Sequence, residues 1–140
     1  MTDDDRPKER RAHRLAVAIG GAGHSGSTLL GLALGSHSGV FYAGEMKKTR
    51  FFGRRDKPLR KRVCKICGVG CPVWGRFEGP LGPDPYERVS RATGASVIVD
   101  STKDVAWIRE RGAELRRRGV AHKLVVLLRD GRAVLNSRLR

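Results

Sequence analysis

The sequence is poor in cysteine, in acidic residues and in aromatic residues. Its 140 residues include three cysteines, 14 acidic residues against 29 lysines and arginines, and 6% aromatic residues. An odd number of closely spaced cysteines, at Cys64, Cys67 and Cys71, is not the pattern of a secreted disulfide framework. The longest early apolar run, 15–19, is too short for a signal-peptide core or a transmembrane helix. The sequence therefore predicts a cytoplasmic protein without a membrane span.

Positive charge is abundant. The formal net charge is +15, which attracts nucleic acid, acidic membranes or phosphorylated small molecules. Within 47–65 there are ten lysines and arginines and one aspartate. We predict that 47–85 is a basic, cysteine-containing surface insertion, and that 1–13 is a solvated, disordered tail. The remaining length is enough for one core, so 14–140 is predicted to be a single unit.

Short aliphatic runs alternate with amphipathic stretches along the chain. The runs predict strands buried on both faces, and the stretches predict helices, which together indicate an α/β fold with a parallel, P-loop-type sheet flanked by helices. The predicted strands are 15–19, 40–43, 96–100 and 123–128. The predicted helices are 29–35, 85–93, 104–118 and one that starts after 131. Because the chain stops inside that last helix, we expect the domain to be truncated at its C-terminus.

A glycine-rich loop follows the first predicted strand and precedes a helix. The segment 21–28 has the form G-x-x-x-x-G-x-T, close to the nucleotide-triphosphate loop G-x-x-x-x-G-K-[ST]. Converging backbone N–H groups and a helix N-terminus make such a turn an anion site. Ser27 stands where the P-loop lysine is expected, and the basic side chain is His24 instead. The loop therefore argues against an ordinary ATPase or kinase.

A second basic motif follows the last predicted strand. Arg129 leaves the strand, and Ser137 comes eight residues later, after a turn that opens a helix. The two side chains can converge, and an arginine fork suits phosphate oxygens. Taken alone, the pattern also fits a strand-to-helix turn with a solvent-exposed arginine.

Together the two motifs resemble those of PAPS-dependent sulfotransferases, where PAPS is 3′-phosphoadenosine 5′-phosphosulfate. The stretch Gly23-His24-Ser25-Gly26-Ser27-Thr28 resembles the family's 5′-phosphosulfate loop, and Arg129 with Ser137 is similar to its 3′-phosphate motif. The resemblance implies that PAPS is the sulfuryl donor. It also implies that Ser25, Gly26, Ser27 and Thr28 hold the 5′-phosphate and that His24 takes the basic position at the bridging oxygen.

Glu45 is the candidate general base. Its position, 21 residues after His24, is similar to that of the glutamate base in the tyrosylprotein branch of the family. The alternatives are a solvated glutamate without a catalytic role, and a histidine base at His37 or His122. The stretch 100–103 resembles a D-S-S-K segment of bacterial members, which we expect to shape the cleft without catalysis.

The cysteines are not predicted to bind a metal. Cys64, Cys67 and Cys71 offer three ligands where zinc prefers four, and nothing in the sequence supports His37 as the fourth. A similar cysteine cluster followed by proline and tryptophan occurs in some bacterial sulfotransferase-like proteins. We therefore expect a structural insertion and a reaction that needs no metal.

Two other functions remain open. One is a nucleotide kinase or NTPase with a degenerate P-loop, and the other is a basic nucleic-acid-binding module, although no specific nucleic-acid motif is recognisable. The resemblance implies an acceptor that carries a hydroxyl or an amine. Members of the resembled family continue well beyond this length. We therefore expect weak or no activity from the chain alone, and self-association or a complementing C-terminal part.

Overall fold

Four parallel strands form the centre of the molecule in the computed structural model, which describes residues 11–64 and 66–140. Neighbouring strands pair in parallel in the order β2-β3-β1-β4. With helices flanking this sheet, the predicted α/β fold is confirmed. The strands are β1 (Leu15–Gly21), β2 (Val40–Tyr42), β3 (Val97–Asp100) and β4 (Ala121–Leu127).

The helices begin and end at residues that favour those boundaries. Pro85 occupies the first turn of α3, and Gly94 ends that helix in the left-handed conformation. The Asp104 side chain accepts a hydrogen bond from Trp107 N and so caps α4. The α-helices are α1 (Ser27–Gly35), α2 (Leu59–Arg62), α3 (Pro85–Thr93), α4 (Val105–Arg117) and α5 (Gly131–Arg138), with 3-10 helices at Met46–Phe51 and Trp74–Arg76.

Alternation along the strands separates the two faces of the sheet. Phe41 packs with Ile98 into the main core, which also contains buried residues of α3 and α4. Tyr42, one residue later on β2, points to the other face, where it meets α1. Helices therefore cover both faces. None of the described helices is long and apolar enough to cross a membrane.

The helix that follows the glycine-rich loop rests closely on an aromatic ring. A Cβ atom placed on Gly31 would lie 2.3 Å from Cε2 of Tyr42, and one on Gly35 would lie 2.9 Å from the Tyr42 Cβ atom. The Tyr42 hydroxyl shares a 2.8 Å hydrogen bond with Ser101 Oγ at the end of β3. Glycine at these two positions lets α1 approach β2, and the contact fixes the distance between them.

The two strands that flank β1 differ in exposure. All four residues of β3 are buried, because β3 lies between β2 and β1 and carries helices on both sides. In contrast, β4 is an edge strand, and Leu124 and Val126 are 53% and 58% exposed. An edge strand with exposed apolar side chains is a surface that favours association.

The predicted tail 1–13 is wrong for its last three residues. Residues 1–10 lie outside the described residues, but His13 is 2% exposed and Arg11 is half-buried. His13 Nδ1 lies 2.5 Å from Glu87 Oε2, and Arg11 pairs with Asp84 at 2.6 Å. These partners are more than 70 residues away in sequence, so a charged run that looked solvated is paired with α3 and its start.

The predicted surface insertion 47–85 is partly internal. Thr49 is buried, and Phe52 is buried with its ring 5.6 Å from that of Trp74 in an edge-to-face contact. Trp74 also lies about 6 Å from the rings of Phe41 and Phe77. Aromatic side chains of the segment therefore pack on the core, while most of its described lysines and arginines are exposed.

Candidate functional site

The loop after β1 has an unusual backbone that glycine makes possible. Gly21 has φ +137°, and a Cβ atom there would lie 2.6 Å from the Leu127 carbonyl oxygen at the end of β4. His24 and Gly26 have φ values of 65° and 100°, whereas Ser25 between them does not have positive φ. Alternation of this kind turns successive N–H groups to one side, which is the geometry of an anion-binding concavity.

The same loop presents hydrogen-bond donors without protein partners. The first helical bond of α1 runs from Leu30 N to the Gly26 carbonyl at 3.0 Å, so the N–H groups of Ser27 and Thr28 precede the helical ladder. No side chain caps this end of α1. The Ser25 hydroxyl is buried and has no partner among the described residues. These donors and the positive end of the helix dipole are suited to a phosphate group.

The second motif contacts the first. Arg129 Nη1 donates to the His24 carbonyl at 2.7 Å, and His24 Nδ1 lies 3.2 Å from Ser137 Oγ. This contact exists because β1 and β4 are neighbours in the sheet, so their following loops leave the same edge. The two motifs therefore follow neighbouring strand ends, and His24 is the residue where they meet.

A third basic side chain, not predicted from the sequence, lies at this loop. A Cβ atom on Gly23 would be 3.6 Å from Nη2 of Arg138, in the last turn of α5. Arg138 directly follows Ser137, and that adjacency was the one signal for it in the sequence. The carboxylate of Asp130, at the start of α5, pairs with Arg132 at 2.9 Å. Hydrogen bonds from Arg132 lower the pKa of Asp130.

Glu45 lies at the same edge of the sheet but not against the loop. It follows β2, which is separated from β1 by β3. Its carboxylate pairs with Lys48 at 2.5 Å and with Lys103 at 3.6 Å. An open depression of about 240 Å³ lies beside it, and most of its charged lining is basic: Glu45, Lys47, Lys48, Arg50, Phe51, Thr102, Lys103 and Asp104.

Asp100 ends β3, the strand that lies between β2, which precedes Glu45, and β1, which precedes the loop. Its carboxylate, 2% exposed, accepts from the backbone N–H groups of Met46 at 3.1 Å and Thr102 at 2.8 Å. It also accepts from the Tyr86 hydroxyl at 2.7 Å and from Trp107 Nε1 at 2.8 Å. Burial and the Asp100 charge raise the pKa of Tyr86 well above its ordinary value, so that hydroxyl stays a donor. Asp100 thus anchors the segment that carries Glu45.

The two alternative histidine bases lie at the opposite edge. His37 follows α1 and precedes β2, and its Nδ1 atom bonds the Ser38 carbonyl at 2.7 Å. His122 pairs in register with Ala16 near the start of β4 and packs on Gly112 of α4. Burial lowers the pKa of His122. Neither ring faces the glycine-rich loop, because parallel strands carry their amino ends at one edge and their carboxyl ends at the other.

Comparison with protein-family models, with curated proteins and with solved structures gave no match for this chain. What the site can do therefore follows from its own geometry. One strand end presents backbone amides that precede the helical ladder and a Ser25 hydroxyl without a partner among the described residues, the next presents an arginine, and a carboxylate lies two strands away.

Proposed function

We propose that this chain binds PAPS and carries the cofactor-binding part of a sulfotransferase. The observation that carries the proposal is the contact between its two phosphate motifs, Arg129 Nη1 to the His24 carbonyl at 2.7 Å. One nucleotide can therefore touch the amides around Gly26 and the guanidinium of Arg129 at once. A bisphosphorylated adenosine has anionic groups at both its 5′ and 3′ ends, which matches two anion sites of this kind.

The charges around the loop favour PAPS over a nucleoside triphosphate. In an ordinary P-loop a lysine after the second glycine neutralises the β- and γ-phosphates, and here that residue is Ser27. Positive charge comes instead from Arg129 and Arg138, which approach the loop from α5 and its preceding turn. That arrangement suits a ligand with a second, separate phosphate better than a linear triphosphate with magnesium.

In the proposed reaction an acceptor oxygen or nitrogen attacks the sulfur atom of PAPS. The new bond to sulfur forms as the bond between sulfur and the bridging phosphate oxygen breaks, and 3′,5′-ADP leaves. Loop amides, Ser25 and His24 stabilise the charge that develops on the leaving phosphate. Glu45 takes the proton of the acceptor, which enters through the basic depression beside it.

A nucleic-acid-binding module is less well supported. Stacking on bases needs exposed aromatic rings among the basic residues. Of the two aromatic residues in the basic stretch, Phe52 is buried, and the Phe51 ring is covered by the Arg50 guanidinium at 4.6 Å. The basic surface therefore offers charge without a free stacking platform.

Calorimetric titration of the full chain with 3′,5′-ADP, with magnesium ATP and with 5′-AMP tests the proposal. We expect 3′,5′-ADP to bind most tightly. The R129A variant should bind it about ten- to a hundredfold more weakly, as expected for loss of hydrogen bonds to a charged group. R132A is the matched control, because Arg132 pairs with Asp130 and its side chain is 93% exposed. Tighter binding of magnesium ATP, or equal binding by R129A and R132A, would overturn the proposal.

A further inference from the structure

All three cysteines of the chain meet at one place in the basic insertion. The Sγ atoms of Cys64, Cys67 and Cys71 all lie within 4.8 Å of one another, and none forms a disulfide. For comparison, sulfurs at the corners of a tetrahedron around one zinc ion are roughly 3.8 Å apart, from a Zn–S distance of about 2.3 Å. Small rotations of the side chains are enough to bring the three sulfurs onto one ion.

The local backbone holds the first two cysteines together. Gly68 N donates to the Cys64 carbonyl at 3.0 Å, and the two residues form an isolated antiparallel bridge. Gly68 has φ +69°, which closes the tight turn that brings Cys67 back beside Cys64. Two thiols of a C-x-x-C-G segment therefore converge on one side of a turn.

A different turn delivers the third cysteine. Trp74 N donates to Cys71 Sγ at 3.4 Å, and Gly75 N donates to the Cys71 carbonyl at 2.9 Å. An N–H donor on sulfur favours the thiolate, which is the form that binds metals. This bond is independent of the clustering of the sulfurs, and it comes from the 3-10 helix whose tryptophan packs on the core.

Ordinary packing does not explain the cluster. A free cysteine normally serves as a small buried apolar residue. Cys71 fits that description at 7% exposed, but Cys67 is exposed and its thiol still faces the other two. A disulfide would use two of the sulfurs and leave the third. Three sulfurs held at one point by two separate turns are accounted for by a ligand that all three share.

We propose that Cys64, Cys67 and Cys71 bind one thiophilic divalent ion, of which zinc is the representative, and that this ion ties the insertion 47–85 together. Among the described residues no histidine or carboxylate joins the cluster, so the fourth position is filled from solvent on the exposed side of Cys67. Three thiolates and a divalent ion carry a net charge of −1, and the segment 47–65 is strongly basic in sequence. This proposal departs from the sequence-based expectation of no metal, and it does not depend on the proposed function.

Metal analysis of the full chain, purified under reducing conditions and supplied with zinc, tests this proposal. We expect about one zinc per chain, a higher melting temperature with zinc than after chelation, and a thiolate-to-cobalt charge-transfer band when cobalt replaces zinc. Because none of these three measurements involves nucleotide, their outcomes are separate from that of the 3′,5′-ADP titration.

The C67S variant should weaken zinc binding by more than the roughly ten- to hundredfold that loss of an outer-shell partner costs. Cys67 is exposed, so this change leaves the core intact. The I66S variant is the matched control, since Ile66 is 90% exposed in the same turn and offers no sulfur. Absence of bound zinc in the reduced wild-type chain, or equal zinc affinity in C67S and I66S, would refute the site.

Discussion

The end of β3 and the loop after β1 lie at the same edge of one sheet, yet their polar groups differ in how fully they are hydrogen-bonded. Asp100 is buried and accepts four hydrogen bonds between 2.7 and 3.1 Å. The loop around Gly26 has backbone N–H groups that precede the helical ladder and a buried Ser25 hydroxyl without a partner among the described residues. Buried polar groups in native proteins are almost always satisfied, and exceptions concentrate where a ligand completes the bonding. The contrast distinguishes Asp100, a structural anchor, from the loop that we propose binds a ligand.

The largest expected effect is on the scaffold side. The D100A variant leaves four donors unpaired, two of them backbone N–H groups of buried residues. Since each buried unsatisfied group costs about 1–3 kcal/mol, the free energy of unfolding should fall by at least about 3 kcal/mol in urea denaturation followed by circular dichroism. D56A is the control, because Asp56 is exposed and, among the described residues, its ion pairs are with Arg54 and Lys57, its neighbours in sequence. Equal urea midpoints for the two variants would show that the hydrogen bonds of Asp100 do not stabilise the fold.

Acid should lower the stability of the fold through the Glu87 carboxylate of α3. Burial alone would raise the pKa of Glu87, but hydrogen bonds from Ala12 and His13 outweigh it and lower the pKa to about 2. A carboxylate with a folded pKa below its ordinary value of 4.5 stabilises the fold above that pH. The free energy of unfolding should therefore fall by roughly 1–3 kcal/mol as pH drops from 4.5 to 2. The E87Q variant should lack this part of the pH dependence, and an unchanged acid profile in E87Q would contradict the assignment.

The smallest effect on stability is expected at the loop. S25A removes a buried hydroxyl that has no protein partner, so its free energy of unfolding should stay within about 0.5 kcal/mol of wild type. Its affinity for 3′,5′-ADP should fall about tenfold, as expected for one hydrogen bond to a charged group. S38A, at an exposed serine near the opposite edge, should change neither quantity. A loss of stability in S25A comparable to that of D100A would erase the distinction between the two regions.

The elements were predictable where local signals agreed with the packing. The helix Pro85–Thr93 matches the predicted range because a proline opens it and a glycine ends it. The strand at 97–100 was readable because a strand buried on both faces is apolar throughout. The glycine-rich loop was readable because its conformation requires particular residues at Gly21 and Gly26.

What could not be predicted depends on partners far apart in sequence. Nothing near His13 indicates that it pairs with Glu87, 74 residues later, so the segment looked like a solvated tail. The role of Asp100 as an acceptor for Tyr86 and Trp107 needs the packing of α3 and α4 on one face. In the same way, Cys71 belongs with Cys64 and Cys67 through two turns that the spacing alone does not specify.

The glycines of α1 fix the spacing between the glycine-rich loop and β2. Because Gly31 and Gly35 let the helix lie directly on the Tyr42 ring, the thickness of one aromatic ring sets how far the loop amides stand from β2. Glu45 is three residues beyond Tyr42 on that same segment. A bulkier or thinner side chain at position 42 would therefore shift donor pocket and carboxylate relative to each other without altering any group that touches a ligand.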